Sequence, residues 1–287
     1  MSTISPSSSA ISPAATLRRA VALVWSAVGV VIGAVLGFLV GSAVGLVVGA
    51  IVVGAALGLL GVVMTTRFVD SAVEVVVARV PARELDADGA PRLFNLLHGL
   101  CASAGVTVPN VSVTDDNGIN ALVVADPSHG GPADMIVTRG FVDRLERIEM
   151  EGAVAVCLAR LRSGLVETQT LAVALSIASP WFIPAAARRQ VLAASFAAQA
   201  VFDADVKGVG ITRYPPGLAA AFHAMLSGST RVGSADARVA VLWLANPSGE
   251  SEAPSNDARP EPAGSRVDVS HDERPPLSER LALLREI

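Results

Sequence analysis

The sequence predicts an α+β protein with an N-terminal transmembrane helical hairpin and a mostly helical domain that contains a small three-stranded sheet. The hairpin is predicted by composition, because 52% of the residues are hydrophobic and 17% are charged, against about 25% charged in a typical soluble domain. Asp, Glu, Lys and Arg are all absent between residues 20 and 66. Short apolar runs separated by turn residues predict the sheet, and helix-spaced apolar runs around them predict the helices.

The charge-free block is too long for one membrane span. Its 47 residues would form a helix of about 70 Å, more than twice the roughly 30 Å hydrocarbon core of a bilayer. The block is also longer than the apolar core of a cleaved signal peptide. We therefore expect two spans, at about 20–40 and 44–66, joined by a very short turn.

The charges that flank the hairpin predict its orientation. Arg18 and Arg19 precede the first span and Arg67 follows the second, so the positive-inside rule places both ends in the cytosol. We expect a multi-pass protein of the cytoplasmic (plasma) membrane, in contact with membrane lipid. The predicted order is a disordered tail (1–17), the hairpin (18–67), a cytosolic domain (68–247), a flexible linker (248–269) and a C-terminal helix that packs on the domain (270–287).

Glycines recur at every fourth position of the hairpin and would share one helix face: Gly29, Gly33, Gly37, Gly41, Gly45 and Gly49. Such a face lets another helix approach closely in lipid. One interpretation is that the two helices of the hairpin pack against each other. The other is an interface with a protein partner or a second copy of the chain, which would make a homo-oligomer within the membrane.

The remaining sequence alternates helix and strand patterns. Short strands are predicted at 109–115, 120–125 and 135–138, with turn residues between them. A second charge-free stretch, residues 168–187, is interrupted by Pro180 and Pro184. A third span is one interpretation of this stretch, and a buried or interfacial segment is the one that the prolines favour.

Charge and ligand-type residues exclude several classes of function. The net charge of −4 provides no basic stripe, so we expect no nucleic-acid partner. Cys101 and Cys157 lie in apolar runs, where buried thiols in a reducing compartment are the default. The histidines are scattered without metal-ligand spacing, at positions 98, 129, 223 and 271.

Several runs, taken in order, resemble one known family. They are RLFNLLHGLCASAGVTVPNVSV, Asn120-Ala121, IVTRGFVDRLERIEMEGAVAV, YPPGLAAAFHAML, and VLWLANP followed by RPPLSERLALLREI. Together they resemble the HtpX-like membrane zinc endopeptidases over about residues 68–287, with a similar hairpin before them. The resemblance implies a gluzincin-like domain. It also implies a zinc site formed by His-Glu-x-x-His on one helix and a glutamate on a later helix.

The residues at the implied site depart from that pattern. Val156-Cys157-Leu158-Ala159-Arg160 aligns with His-Glu-x-x-His, and Val201 aligns with the third ligand. Arg274 stands where the family usually has a histidine before Pro-Pro. We therefore predict no catalytic residues, no metal and no cofactor, and hence a pseudopeptidase that is not an enzyme.

Arg160 would point into the implied zinc pocket. Because an unpaired buried charge is costly, we predict that Asp205, or else Asp203 or Glu167, forms an ion pair with Arg160. The alternative is that Arg160 extends to the surface.

The leading functional hypothesis is a catalytically inactive, membrane-anchored homologue that binds polypeptide as an adaptor or as an accessory subunit of a membrane complex. The resemblance implies an edge strand near Asn120-Ala121 that pairs with extended chain, and such pairing needs no metal. One alternative is an active membrane hydrolase with a rearranged site. Another is a structural oligomer built by the glycine repeat of the hairpin.

Overall fold

The computed structural model describes residues 13–39, 43–128, 131–195, 198–234, 236–249 and 275–286. The chain divides into two compact units. The first unit contains the residues up to Asp70 together with Pro180–Val191, and the second contains Ser71–Ser179 together with the residues from Leu192 onward. The predicted α+β class is confirmed, with two apolar N-terminal helices and a small mixed sheet.

The elements are numbered in chain order. The helices are α1 (Pro13–Leu39), α2 (Ala43–Asp70), α3 (Ala72–Val77), α4 (Pro91–Ala104), α5 (Arg139–Arg144), α6 (Arg147–Arg162), α7 (Leu165–Ala178), α8 (Ala185–Ser195), α9 (Ala198–Thr212), α10 (Pro215–Gly228) and α11 (Leu277–Leu284), with a 3-10 helix at Ala237–Leu242. The strands are β1 (Arg83–Glu84), β2 (Asn110–Thr114), β3 (Ala121–Val124) and β4 (Asp134–Thr138).

Helices α1 and α2 form the predicted hairpin. Both are long and apolar enough to cross a membrane, with a mean hydropathy of 2.4 for Ala14–Leu39 and 2.7 for Val44–Asp70. Large apolar side chains point outward along them, among them Leu23, Phe38 and Leu39, as expected for surfaces that face lipid. Helix α1 begins at Pro13, so the predicted tail of 1–17 already enters a helix; its first twelve residues lie outside the described residues.

Glycines allow α1 and α2 to approach each other closely. A Cβ atom at Gly33 or Gly37 would overlap the backbone of α2, and a Cβ at Gly29 would lie 2.7 Å from the Cα of Gly54. A Cβ at Gly49 would in turn overlap the carbonyl oxygen of Gly33. At these positions the glycines therefore lie directly against the other helix of the hairpin. Gly41 lies outside the described residues.

Aromatic contacts complete the first unit. The indole Nε1 of Trp25 donates a hydrogen bond of 2.7 Å to the carbonyl oxygen of Phe182. The rings of Trp25 and Trp181 meet edge to face with centroids 5.7 Å apart, and Phe68 meets Phe182 in the same way. The segment after Pro180 thus packs on the hairpin helices.

Helix α7 does not support a third membrane span. It has 14 residues and is therefore about 21 Å long, shorter than the roughly 30 Å core of a bilayer. Most of its side chains are buried within the second unit. The Thr170 hydroxyl, for example, lies 3.2 Å from the backbone nitrogen of Ala125, which donates to it.

The sheet has four strands in the order β1-β2-β4-β3 rather than the predicted three. Strands β2 and β4 are parallel, and the other two pairs are antiparallel. The predicted strands correspond to β2, β3 and β4. Strand β1 was missed because it is two residues long and exposed on both of them, so it has no apolar alternation.

Helix α6 is the centre of the second unit. Residues from Gly152 to Arg160 are buried on every side of the helix, which identifies a core helix rather than an amphipathic one. It packs against α4, α9 and α10. The carboxylate of Glu149 caps its start by accepting a 2.8 Å hydrogen bond from the Glu146 backbone nitrogen, and Gly164, with φ of 72°, follows its end.

Candidate functional site

The structure brings several predicted site residues together between α6 and α9. Val156 and Cys157 on α6 are fully buried. Gly208 on α9 lies so close to α6 that a Cβ atom there would be 2.8 Å from a Val156 methyl group. Val201, at the implied position of the third ligand, lines the same small cavity as Val156 and Arg160.

This cavity is nearly filled by side chains. Its volume is about 10 Å³, which is at the lower limit for holding one water molecule. Its walls include Val156, Arg160, Gln169, Val201, Trp243 and Arg280. In this conformation the space between α6 and α9 therefore has no room for a polypeptide.

Arg160 is buried rather than extended to the surface, with 7% of the residue exposed. Its Nη2 donates to the side-chain oxygen of Gln169 at 2.9 Å, and its Nη1 donates to the carbonyl oxygen of Leu242 at 3.2 Å. Gln169 makes a second hydrogen bond, in which its amide nitrogen donates to the carbonyl oxygen of Ser195 at 3.1 Å. Arg160 thus joins α6 to α7 and to the end of the 3-10 helix.

Asp205 forms an ion pair with Arg280, which was not among the site residues predicted from the sequence. The Asp205 carboxylate accepts hydrogen bonds of 2.8 Å from Nε and 2.6 Å from Nη2 of Arg280. The pairing of Asp205 with Arg160 stays a prediction beside this ion pair. Arg280 escaped prediction because it lies 75 residues further along the chain, on the short helix α11.

Asp203 and Glu167 lie in different environments. Asp203 is exposed on α9 and accepts a 3.1 Å hydrogen bond from the amide of Gln199, so it does not enter the cavity. Glu167 is buried in the first turn of α7.

These residues do not fit a zinc ion between α6 and α9. Burial raises the pKa of the Cys157 thiol to about 11, whereas the deprotonated thiolate is the form that binds metal. Both carboxylate oxygens of Asp205 are engaged by Arg280, and the guanidinium groups of Arg160 and Arg280 would repel a cation. Among the described residues there is also no group of three or more His, Cys, Asp and Glu side chains that could hold a metal.

The two histidines that the structure describes lie on different helices. His98 is exposed on α4, where its Nδ1 lies 2.8 Å from the carbonyl oxygen of Phe94, and His223 lies on α10. His129 and His271 lie outside the described residues, as does Arg274.

The predicted peptide edge at Asn120 and Ala121 is covered by the chain itself. Trp243 forms an antiparallel bridge with Leu122, and the Leu244 backbone nitrogen donates to the carbonyl oxygen of Ala121 at 2.7 Å. Every residue of β3 is buried. Added extended chain cannot pair here unless residues 243–245 leave β3.

Asn120 holds this covering segment in place. Its side-chain oxygen accepts from the Ala245 backbone nitrogen at 3.1 Å, and its side-chain nitrogen donates to the carbonyl oxygens of Ala245 and Thr230 at 2.9 and 3.0 Å. The side chain is fully buried. The hydrogen-bonding groups of this side chain are therefore occupied by partners within the protein and do not face a ligand.

A second cavity, of about 300 Å³, opens at the surface. Its walls include the polar side chains of Asp116, Asn117, Arg144, Ser229 and Arg231. Asp116 and Arg144 are held internally, since Asp116 accepts from the Gly233 backbone nitrogen and Arg144 donates to the carbonyl oxygens of Asn117 and Gly228. Arg231 is exposed and leaves a positive charge at the opening.

Comparison with known proteins supports the predicted resemblance to the HtpX-like family. Curated relatives named Protease HtpX homolog include one from Dictyoglomus thermophilum, 26% identical over 205 residues that cover 61% of this chain and 67% of the relative. One from Levilactobacillus brevis is 28% identical over 249 residues, covering 68% and 82%. One from Lactiplantibacillus plantarum is 33% identical over 112 residues, covering 38% and 36%. No family model matches the chain, and no solved structure matches it with statistical significance.

These relatives contradict the prediction that the protein is not an enzyme. They are named proteases, which points to an enzyme, and nothing in the structure shows inactivity. The prediction rested on a few aligned positions, and two histidines lie outside the described residues. Together with the two apolar helices, the relatives also indicate a membrane protein.

Proposed function

We propose that the protein engages polypeptides at a membrane, binding them as an adaptor or as an accessory subunit of a membrane protein complex. The observation that carries the proposal is the similarity to proteins named Protease HtpX homolog, one of which is matched over 82% of its length. Helices α1 and α2 supply the membrane anchor. A protease must hold polypeptide before any chemistry, so binding is the part of that function that needs no particular catalytic group.

In this proposal the second unit acts at the membrane that holds the anchor. Arg18, Arg19 and Arg67 flank the apolar helices, which supports a multi-pass arrangement in the plasma membrane with both hairpin ends and the second unit in the cytosol. Substrates or partners would then be cytosolic polypeptides or the cytosolic parts of membrane proteins.

Of the sites described above, the surface cavity near Arg231 is the one best suited to bind a polypeptide. It is much larger than the space between α6 and α9, and the edge of β3 is covered by residues 243–245. Because the exposed Arg231 side chain lines this opening, acidic segments are the chemistry that it would accept.

The test uses the full-length chain in lipid nanodiscs with fluorescent casein, an acidic unfolded polypeptide. We expect saturable binding that weakens at least several-fold in the Arg231→Glu variant. The matched control is Arg162→Glu, which makes the same charge change at an exposed position at the end of α6. Gels run on the same samples, with and without chelator, report any cleavage.

Recovery of the protein with a defined partner would also support the proposal. Extraction in mild detergent followed by mass spectrometry identifies such a partner. The absence of casein binding, of casein cleavage and of any stoichiometric partner would contradict it.

A further inference from the structure

The Arg280–Asp205 ion pair lies beside the cavity between α6 and α9, where the resemblance implies a metal. Asp205 belongs to α9, which carries Val201, and Arg280 lines the cavity between α6 and α9. We propose that this ion pair, and not a metal ion, joins α9 to α11 here, so that the second unit folds without zinc at this site. The inference does not depend on the proposed function.

One guanidinium group contacts three separate parts of the second unit. Arg280 binds Asp205 on α9 through two hydrogen bonds, and its Nη1 donates to the carbonyl oxygen of Leu244 at 2.7 Å. Its guanidinium carbon also lies 4.5 Å from the centre of the Phe222 ring on α10, within the range of a cation–π contact. Structural metal ions join chain segments in a comparable way, through several ligands on one centre.

Burial makes the two charges depend on each other. The side chains of Arg280 and Asp205 are 3% and 0% exposed. Breaking such a pair by removing one partner leaves an uncompensated buried charge and is strongly destabilising. Replacing both partners by apolar residues of similar size is often close to neutral, and this difference gives the pair a measurable signature.

The first experiment is a double-mutant cycle on the full-length chain in detergent. We expect Arg280→Met and Asp205→Leu each to lower the melting temperature by roughly 10 °C, and the double variant to lower it by less than either single change. Arg238→Met is the matched control, because the Arg238–Asp236 pair is equally short at 2.6 Å but Arg238 is 46% exposed. An Arg280→Met variant as stable as Arg238→Met would overturn the proposal.

A thiol next to the ion pair reports whether the site opens. Cys157 is fully buried, and the only other cysteine in the chain is Cys101. In a Cys101→Ala background, maleimide labelling of Cys157 should be at least tenfold faster in the Arg280→Met variant than in the parent. An unchanged labelling rate in a destabilised variant would mean that the pair does not close this site.

The third experiment uses the unmodified chain and so does not depend on whether a variant folds. We expect purified protein to contain less than one zinc ion per ten molecules, and we expect its melting temperature to be unchanged by EDTA or by added zinc chloride. Stoichiometric zinc together with a fall in melting temperature in EDTA would overturn the proposal, whether or not the protein binds casein.

Discussion

Asn120 shows how much one buried polar residue can determine at the residue scale. It connects the start of β3 with Thr230 and Ala245, which lie 110 and 125 residues further along the chain. The resemblance implies a peptide-binding edge at this residue, and the structure gives its side chain a role in the fold. A pattern in the sequence identified the residue but could not identify its partners.

Removing the Asn120 side chain should destabilise the second unit. Asn120→Ala leaves the backbone groups of Ala245 and Thr230 without their side-chain partner, at about 3 kcal/mol in total. Chemical unfolding of the full chain, followed by fluorescence, measures the loss. Asn110→Ala is the matched control, because the Asn110 amide bonds Asp134 at an exposed position and its loss should cost less than about 0.5 kcal/mol. Equal losses in the two variants would contradict the role of Asn120.

The Cys157 thiol predicts a loss of stability in alkali. Its pKa is raised by burial from 9.0 to about 11, so the folded state disfavours the thiolate. The corresponding stability is fully present below pH 9 and is lost as the pH rises from 9 to 11, by up to about 3 kcal/mol. Melting temperatures of the wild type and of Cys157→Ala, measured from pH 7 to pH 11, isolate this contribution. Parallel pH profiles for the two proteins would refute it.

At the scale of elements, the hairpin is an interface made largely of backbone. Gly33 and Gly37 meet the backbone of α2 so closely that neither position has space for a side chain. The outward positions between them, such as Val35, are exposed. Tolerance to substitution should therefore alternate along α1, with the glycine face intolerant and the lipid face permissive.

Gly33→Leu should separate the two hairpin helices, because the added side chain would overlap the backbone of α2 at Gly49 and Ala50. We expect a lower melting temperature in detergent and a changed mobility on SDS gels. Val35→Leu adds a leucine on the exposed face of the same helix and should leave both properties unchanged. If Gly33→Leu matched this control, the glycine face would not be the hairpin interface.

Elements whose signal is local could be predicted from the sequence, and contacts between distant segments could not. The charge-free block predicted α1 and α2, and α4 begins at Pro91 and ends before Gly105, whose φ is 68°, in agreement with general helix start and stop signals. The two-residue β1 carried no periodicity. The partner of Asp205 and the cover over β3 depend on tertiary contacts made by residues 242–245 and 280, which no local pattern encodes.

At the scale of the whole molecule, the orientation of the hairpin can be measured in cells. Because Arg18, Arg19 and Arg67 flank the apolar helices, we expect a green fluorescent protein fused to the C-terminus to fluoresce and an alkaline phosphatase at the same place to be inactive. The same phosphatase inserted after residue 41, in the predicted turn, should be active. The reverse pattern would place the second unit outside the cytosol.

Helix α11 binds to the rest of the second unit in the way that a separate peptide ligand would bind to a receptor. It is eight residues long, too short to be a stable helix by itself, and it packs against α9 and α10. Arg280 serves as its anchor, inserted between Asp205 and Phe222. If a specific protease site were engineered between residues 249 and 275, the severed C-terminal peptide should remain bound to the rest of the protein, and a synthetic copy should compete for its place.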